Sequence, residues 1–507
     1  MVQFLDLPLE LLPLIVQHFV RPSHFAALCL VNKYFYTFAI SLLYERAFIY
    51  AWHKEGKAKV VKLFKTLSEC SHLAQHLPNV SISKNGCAPF VHWTLQTVKP
   101  LDFFYAQIAR RRNYVLLTRS GVAVIRDFPK ALQSSDYDNV LSICLQGIQN
   151  CVNLRSCTWT RDGSLTTEIL EALLHCSHLE ELEINGRYEG HYDPITLLGF
   201  THLRRLSLIM PSARVIEMLP AWISVTGASL RHLSLICKSS TLVHDGVLES
   251  LAPHLVNLEH LYLVNCQKVT DRGLYTILSG TTHGLFSLGM EGLSPEFDMA
   301  RFSQDCVRSG ALSHLGSITL TVNVQSSPTW EKDVLALLAS APLERFHIST
   351  VGGHVGPALS ESFCTSIVNA HGHRLRRFSV HRIRMSMLSI DDICRRCVEL
   401  EQLFIVVEQN SLDSLGSCLA QARKLCAVHV NRPLDLGSED IPVMARERIL
   451  SIVKQCGPNL KQFGYNTRVL QVERVVKYEE DGSLGIDVRL GAYENPEIPE
   501  QFLVVRT

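Results

Sequence analysis

The chain has 507 residues, 47% hydrophobic and 19% charged, so apolar surface is plentiful and wholesale disorder is excluded. Its 49 lysines and arginines balance 48 aspartates and glutamates, and a net charge of +1 gives no support for a nucleic-acid partner or an anionic membrane. No apolar run approaches the roughly 20 residues of a membrane span, and the 16 cysteines are expected to be mostly free thiols of a cytoplasmic or nuclear chain.

The opening MVQFLDLPLELLPLIVQHFV is apolar, but Asp6 and Glu10 interrupt it and it lacks a basic start and a small-residue cleavage site, making it a poor secretion signal. Residues 6–44 read instead as two or three short helices. Asp6 can cap the first, with Pro8 near its first turn, and Leu7, Leu11, Leu14 and Ile15 fall at helical spacing. Arg21-Pro22-Ser23 breaks it, and Ser23 can cap a second helix. Phe25, Leu28 and Val31 carry the apolar stripe onward, followed by Tyr34, Phe35 and Phe38. So small a module, about 40 residues, cannot bury a sufficient core alone and must dock on something.

This stretch resembles an F-box. Leu7-Pro8-x-Glu10-Leu11-Leu12 followed by Ile15 matches the start, Val31-Asn32-Lys33 with Phe35 the middle, and Leu43-Tyr44 the end. Phe35 and Tyr44 depart from it, standing where tryptophan is common. The resemblance implies that residues 1–46 bind a Skp-type adaptor, and through it a cullin scaffold, by Leu7, Pro8, Leu11, Leu12, Ile15, Leu28, Val31 and Phe35. The alternative for each is a place in the module's own core.

Residues 47–150 read as a helical connector and then the least legible part of the chain, long enough for irregular repeats. Arg110-Arg111-Arg112 within it is expected to be a solvated helix face.

From residue 151 to 468 one pattern recurs: Leu, two residues, an apolar residue, one residue, another apolar residue. Twelve copies run from Leu154/Cys157/Trp159 to Leu460/Phe463/Tyr465, at a mean period of about 28, with Leu77/Val80/Ile82 as an isolated earlier copy. The alternating part predicts a strand buried on one face. The remainder of each period leaves room for a returning helix, as in Leu165–His175 and Val243–Leu251. Stacked units predict an α/β solenoid with a parallel inner sheet and outer helices, stable only as a stack. The pattern resembles the leucine-rich repeat, and Leu258–Leu278 resembles its cysteine-containing subclass. Cys70, Cys151, Cys176 and Cys397 each sit three residues before a leucine, which reads as a small buried hydrophobe locked to the repeat.

Beyond Leu460, Leu470–Tyr478 and Leu484–Leu490 flank Asp481-Gly482, a hairpin signal, and residues 469–507 are expected to cap the open end of the solenoid. No phosphate loop, dinucleotide fingerprint, HExxH or GxSxG is present. Gly352-Gly353-His354 falls where a loop is expected, and Cys394-x-x-Cys397 lacks a second pair. No metal or cofactor is therefore expected, and the chain reads as non-catalytic.

The third, fifth and seventh positions counted from each leading leucine should face the concave side. There, Ile209, Ile236, Tyr262 and Val264 form an expected apolar strip. Arg345, His347, Arg377 and His381 form an expected basic end, near a window (371–396) with seven arginines against two aspartates. These residues are candidates for holding an acidic or phosphorylated protein segment; the alternative is that the arginines only solvate the face. An F-box followed by leucine-rich repeats implies the substrate-recognition subunit of an SCF-type cullin-RING ubiquitin ligase. A repeat scaffold outside any ligase is the alternative, and an enzyme the third reading.

Overall fold

The computed structural model describes residues 10–17, 19, 22–50, 56–83, 134–160, 163–322, 328–350, 358–433, 444–466, 468–478 and 483–492. The readings made at Asp6, Leu7, Pro8, Arg110-Arg111-Arg112, Gly352-Gly353-His354 and Asp481-Gly482 lie outside these residues.

The N-terminal module has three helices, α1 (Leu11–Gln17), α2 (Pro22–Cys29) and α3 (Lys33–Tyr44). Asn32 starts α3: its side-chain oxygen accepts the Phe35 backbone N–H at 3.0 Å, meeting one donor that the first helical turn leaves unpaired. Leu12, Val16, Phe25, Phe35, Ala39, Ile40 and Leu43 make a core of their own, separate from that of the repeats.

A single 16-stranded sheet follows, its strands in chain order. Its first four strands are β1 (Arg46–Tyr50), β2 (Asn79–Ser83), β3 (Ser156–Trp159) and β4 (Glu181–Asn185). Next come β5 (Arg205–Ile209), β6 (His232–His244), β7 (His260–Lys268) and β8 (Ser287–Glu291). Then follow β9 (Ser317–Val322), β10 (Arg345–Thr350), β11 (Arg377–His381) and β12 (Gln402–Val406). The last four are β13 (Ala427–Asn431), β14 (Gln462–Tyr465), β15 (Arg468–Tyr478) and β16 (Leu484–Ala492). Pairing is parallel from β1 to β14 and antiparallel from β14 to β16.

The sheet begins earlier than the sequence reading places the solenoid. β1 and β2 pair Arg46 with Asn79, and β2 pairs Asn79 directly with Ser156 on β3. Among the described residues, no strand lies between β2 and β3 in the sheet. Two helices pack beneath this start, α4 (Gly56–Glu69) and α6 (Ser134–Asn150), with the short α5 (Ser71–Ala74) between them in the chain. The Asn150 amide on α6 donates to the Leu67 carbonyl at the end of α4 at 2.9 Å.

Within the stack, the leucine positions close the core. Leu206, Leu233, Leu261, Leu288 and Ile318 form one fully buried column. Leu208, Leu235, Leu263, Met290 and Leu320 form the next. Each such side chain contributes about 1.5–3 kcal/mol of burial, which no single repeat could secure because half of each column belongs to its neighbours. Register is fixed at the rim: the backbone N–H groups of Glu259 and His260 both donate to the Arg231 carbonyl, at 2.8 and 2.9 Å, and the same fork recurs from Arg376 and Arg377 to Glu344. The described cysteines are free thiols, and Cys151, Cys176 and Cys397 are buried at their repeat positions.

At the C-terminal end, β15 and β16 form the expected hairpin, with Tyr478 opposite Leu484. Val472 and Leu490 are buried at its base, and the Arg474 guanidinium donates to the Leu460 and Gly457 carbonyls at 2.6 and 2.7 Å. The parallel edge of β14 is thereby covered. The architecture is a leucine-rich-repeat solenoid. No helix among the described residues is long and apolar enough to cross a membrane.

Candidate protein-docking surfaces

Two surfaces carry the candidate docking residues. On the N-terminal module, helical periodicity divides the apolar residues into two faces. Leu12 and Val16, four apart on α1, point inward at 5% and 0% exposure, whereas Leu11 and Leu14 point outward at 40% and 56%. The α2–α3 turn exposes Leu30 (88%) and Val31 (60%), and Tyr34 on the first turn of α3 is 57% exposed. Six of the residues expected to face an adaptor are described, and they separate. Leu11 and Val31 are on the surface, Ile15 and Leu28 are half-buried, and Leu12 and Phe35 are core. Leu12 and Phe35 take the alternative, a place in the module's own core; on α1 the step of about 100° between neighbours turns Leu12 inward and leaves Leu11 at the surface. Leu14, Leu30 and Tyr34 join the exposed set.

On the solenoid, the third, fifth and seventh positions do alternate with the core columns. They are not uniformly solvated. Ile209 and Val264 are buried at 8% and 5% exposure, and Ile236 and Tyr262 are half-buried. Ile209, Ile236 and Val264 are direct register partners, and at a strand spacing of about 4.8 Å such neighbours shield one another. Aromatic rings tile the adjoining columns: His232 stacks on Tyr262 at 5.3 Å and on His260 at 5.5 Å between centroids. His232 also holds the Ser234 hydroxyl at 2.8 Å, and burial lowers its pKa well below the usual histidine value.

At the expected basic end, Arg345 is exposed and stands in register with half-buried Arg377. Arg377 donates to the Gln402 side-chain oxygen and lies over the Phe404 ring, 6.0 Å from its centroid. His381 is half-buried. His347 is not a surface cation: it is 3% exposed, its Nδ1 is 2.7 Å from the Ser379 hydroxyl, and burial followed by the Arg377 charge lowers its pKa to about 3. The excess of arginines in 371–396 is likewise not one patch. Arg376 pairs with Glu344 and Glu401, Arg384 with Glu408, Arg395 with Asp391 and Arg396 with Asp392. Glu344, Glu401 and Glu408 come from outside that window, which is why counting along the chain misses them.

One residue of this face was not singled out from the sequence. Glu291 occupies the seventh position of its repeat, in register with Val264, and is 7% exposed. A carboxylate directly after Ile209, Ile236 and Val264 in one column, which begins with Asn185, is a signal readable from the repeat register alone. Among the described residues, no group of three or more His, Cys, Asp or Glu side chains could hold a metal ion.

No family model matches the chain, and no curated protein matches it. Among solved structures it is similar to the complex of Rad7 and Elc1 in yeast, at 14% identity, over 66% of this chain and 83% of that one, with a TM-score of 0.39. It is also similar to the leucine-rich repeat-containing protein LegL7 from Legionella pneumophila, at 10% identity, over 60% of this chain and 90% of that one, with a TM-score of 0.34.

Proposed function

We propose that this chain is the substrate-recognition subunit of an SCF-type cullin-RING ubiquitin ligase. The N-terminal module acts as an F-box that docks on a Skp-type adaptor, and the solenoid holds a protein substrate. The observation that carries this reading is the module itself: a three-helix unit with its own small core that leaves Leu11, Leu14, Leu30, Val31 and Tyr34 in solvent. Large exposed apolar side chains on so small a unit mark a docking surface. The chain performs no bond chemistry in this reading; it raises the local concentration of substrate near the ubiquitin-loaded enzyme. Arg345 and Arg377, neighbours on β10 and β11, suit a carboxylate or phosphate of that substrate. Action in the cytoplasm or nucleus belongs to the same proposal.

The test is co-purification of a Skp-type adaptor with the full chain. Leu11→Asp and Val31→Asp each place a charge on the docking face and should abolish it, while circular dichroism stays unchanged. Absence of adaptor binding by the unsubstituted chain rejects the ligase reading in favour of a repeat scaffold.

A further inference from the structure

Glu291 closes β8 on the concave side, on the same face as Ser287 and Gly289. The Tyr262 ring covers Gly289, where a Cβ would lie 2.4 Å from the ring's Cδ1, so an aromatic surface adjoins the carboxyl. Ile236 and Val264 continue its column on the preceding strands, and Thr321 follows on β9. Glu291 is 7% exposed as a residue and makes no hydrogen bond or ion pair with any described residue, and its carboxyl oxygens are not among the fully buried atoms that lack a partner, so they reach the face of the sheet. Burial raises the Glu291 pKa to about 8. Among titratable groups on the adjoining strands, β7 carries His260, Tyr262, Cys266 and Lys268, and β9 carries none.

Resting on the concave-face reading above, we propose that Glu291 is the receiving carboxylate for a lysine or arginine of the bound protein segment, with an apolar neighbour of that residue lying on Ile236 and Tyr262. The cation supplies the donor the carboxyl lacks, and the pair forms out of water where its attraction is strongest. Arg345 and Arg377 lie two and three strands further along the sheet and level with Ser287, four residues before Glu291 on its strand, which puts them about 16 and 19 Å away at ordinary strand dimensions. An extended chain covers that distance in about five or six residues. The ligand class is therefore a segment with a basic residue beside an apolar one and an acidic residue about five or six positions away.

The experiment uses the immobilised full chain and four pools of acetylated, amidated nonapeptides, randomised except for Lys, Arg, Gln or Glu at the fifth position. The Lys and Arg pools should be retained roughly tenfold over the Gln pool, the fold-change that one tenfold step in affinity gives. Glu291→Gln, nearly isosteric, should remove that preference, and Ile236→Asp should lower retention of every pool. Arg345→Ala with Arg377→Ala should leave the Lys preference in place. Equal retention of the Lys and Gln pools, or a Lys preference that survives Glu291→Gln, overturns this inference and leaves the concave-face reading standing. Retention of no pool overturns both.

Discussion

Asp245 binds the next repeat through Thr270. One of its carboxylate oxygens accepts the Thr270 backbone N–H at 2.8 Å and the other the Thr270 hydroxyl at 2.7 Å. The same device recurs where Glu331 accepts the Ser360 backbone N–H and hydroxyl, at 3.2 and 2.5 Å. Each carboxylate stands in the first turn of its own helix and holds the N-cap of the following one. The stack is thus joined outside its leucine columns as well as within them.

Removing that joint should be measurable. Asp245→Ala is expected to lower stability by about 2–3 kcal/mol, since it strands two donors, and Thr270→Val by about 1 kcal/mol. Gly273→Ala should break the same joint without removing a bond, because a Cβ there would lie 2.4 Å from Asp245 Oδ1 and 2.7 Å from its Cα. Urea midpoints of the three variants check this; midpoints equal to that of the unsubstituted chain would rule out the joint as a source of stability.

The two faces of α1 predict opposite outcomes for adjacent leucines. Leu12→Ala should destabilise the module by roughly 2–5 kcal/mol through cavity formation and loss of burial. Leu11→Ala removes a side chain that is 40% exposed and should change stability by about 0.5 kcal/mol or less. Limited proteolysis of the N-terminal module reads the difference: rapid cleavage in the Leu12 variant alone is the expected result.

Buried histidines, His347, His371 and His429 among them, give stability an acid limit. Burial lowers His347 to about 3, and His371 and His429 to about 4, so all three are neutral in the folded chain at pH 5. The unfolded chain takes up their protons near pH 6.5 and so binds more protons than the native state between pH 6.5 and 4. Stability is therefore full above pH 6.5 and falls on acidification, by about 2 kcal/mol at pH 5 for His347. His347→Asn should flatten the dependence of the melting temperature on pH across that window, and an unchanged slope would exclude His347 as its source.

Glu291 acts in the other direction. Its pKa is raised to about 8, so the native state holds a proton that the unfolded state has released above pH 4.5. Its contribution is complete below pH 4.5 and is lost as pH rises through 8, by ~3 kcal/mol between pH 5 and 7.5. Glu291→Gln should be the more stable chain at pH 7.5 and should lack that decline. Melting curves of both chains from pH 5 to 8.5 decide it, and parallel curves would show that Glu291 is ionised in the fold.

Most of the fold is legible in single residues because the core repeats itself locally. Period-two alternation marks each strand, the leading leucine fixes its phase, and Asp481-Gly482 between apolar runs announces the terminal hairpin. β1 is not legible: its residues Arg46–Tyr50 lack a leading leucine, and only pairing with β2 makes them part of the sheet.

The sequence by itself determined the repeat period, the buried columns, the separate helical module and the capped end, since each is written in spacings a few residues long. Tertiary structure alone decided how the surfaces are charged and filled. Stacking brings residues about 28 positions apart to a strand spacing of about 4.8 Å. At that distance Glu344 and Glu401 offset Arg376, Ile209 and Val264 withdraw from solvent, and His347 becomes neutral. Glu291 is left largely buried and without a described partner for the same reason: the strand paired with it supplies Val264 at its level, not a cation.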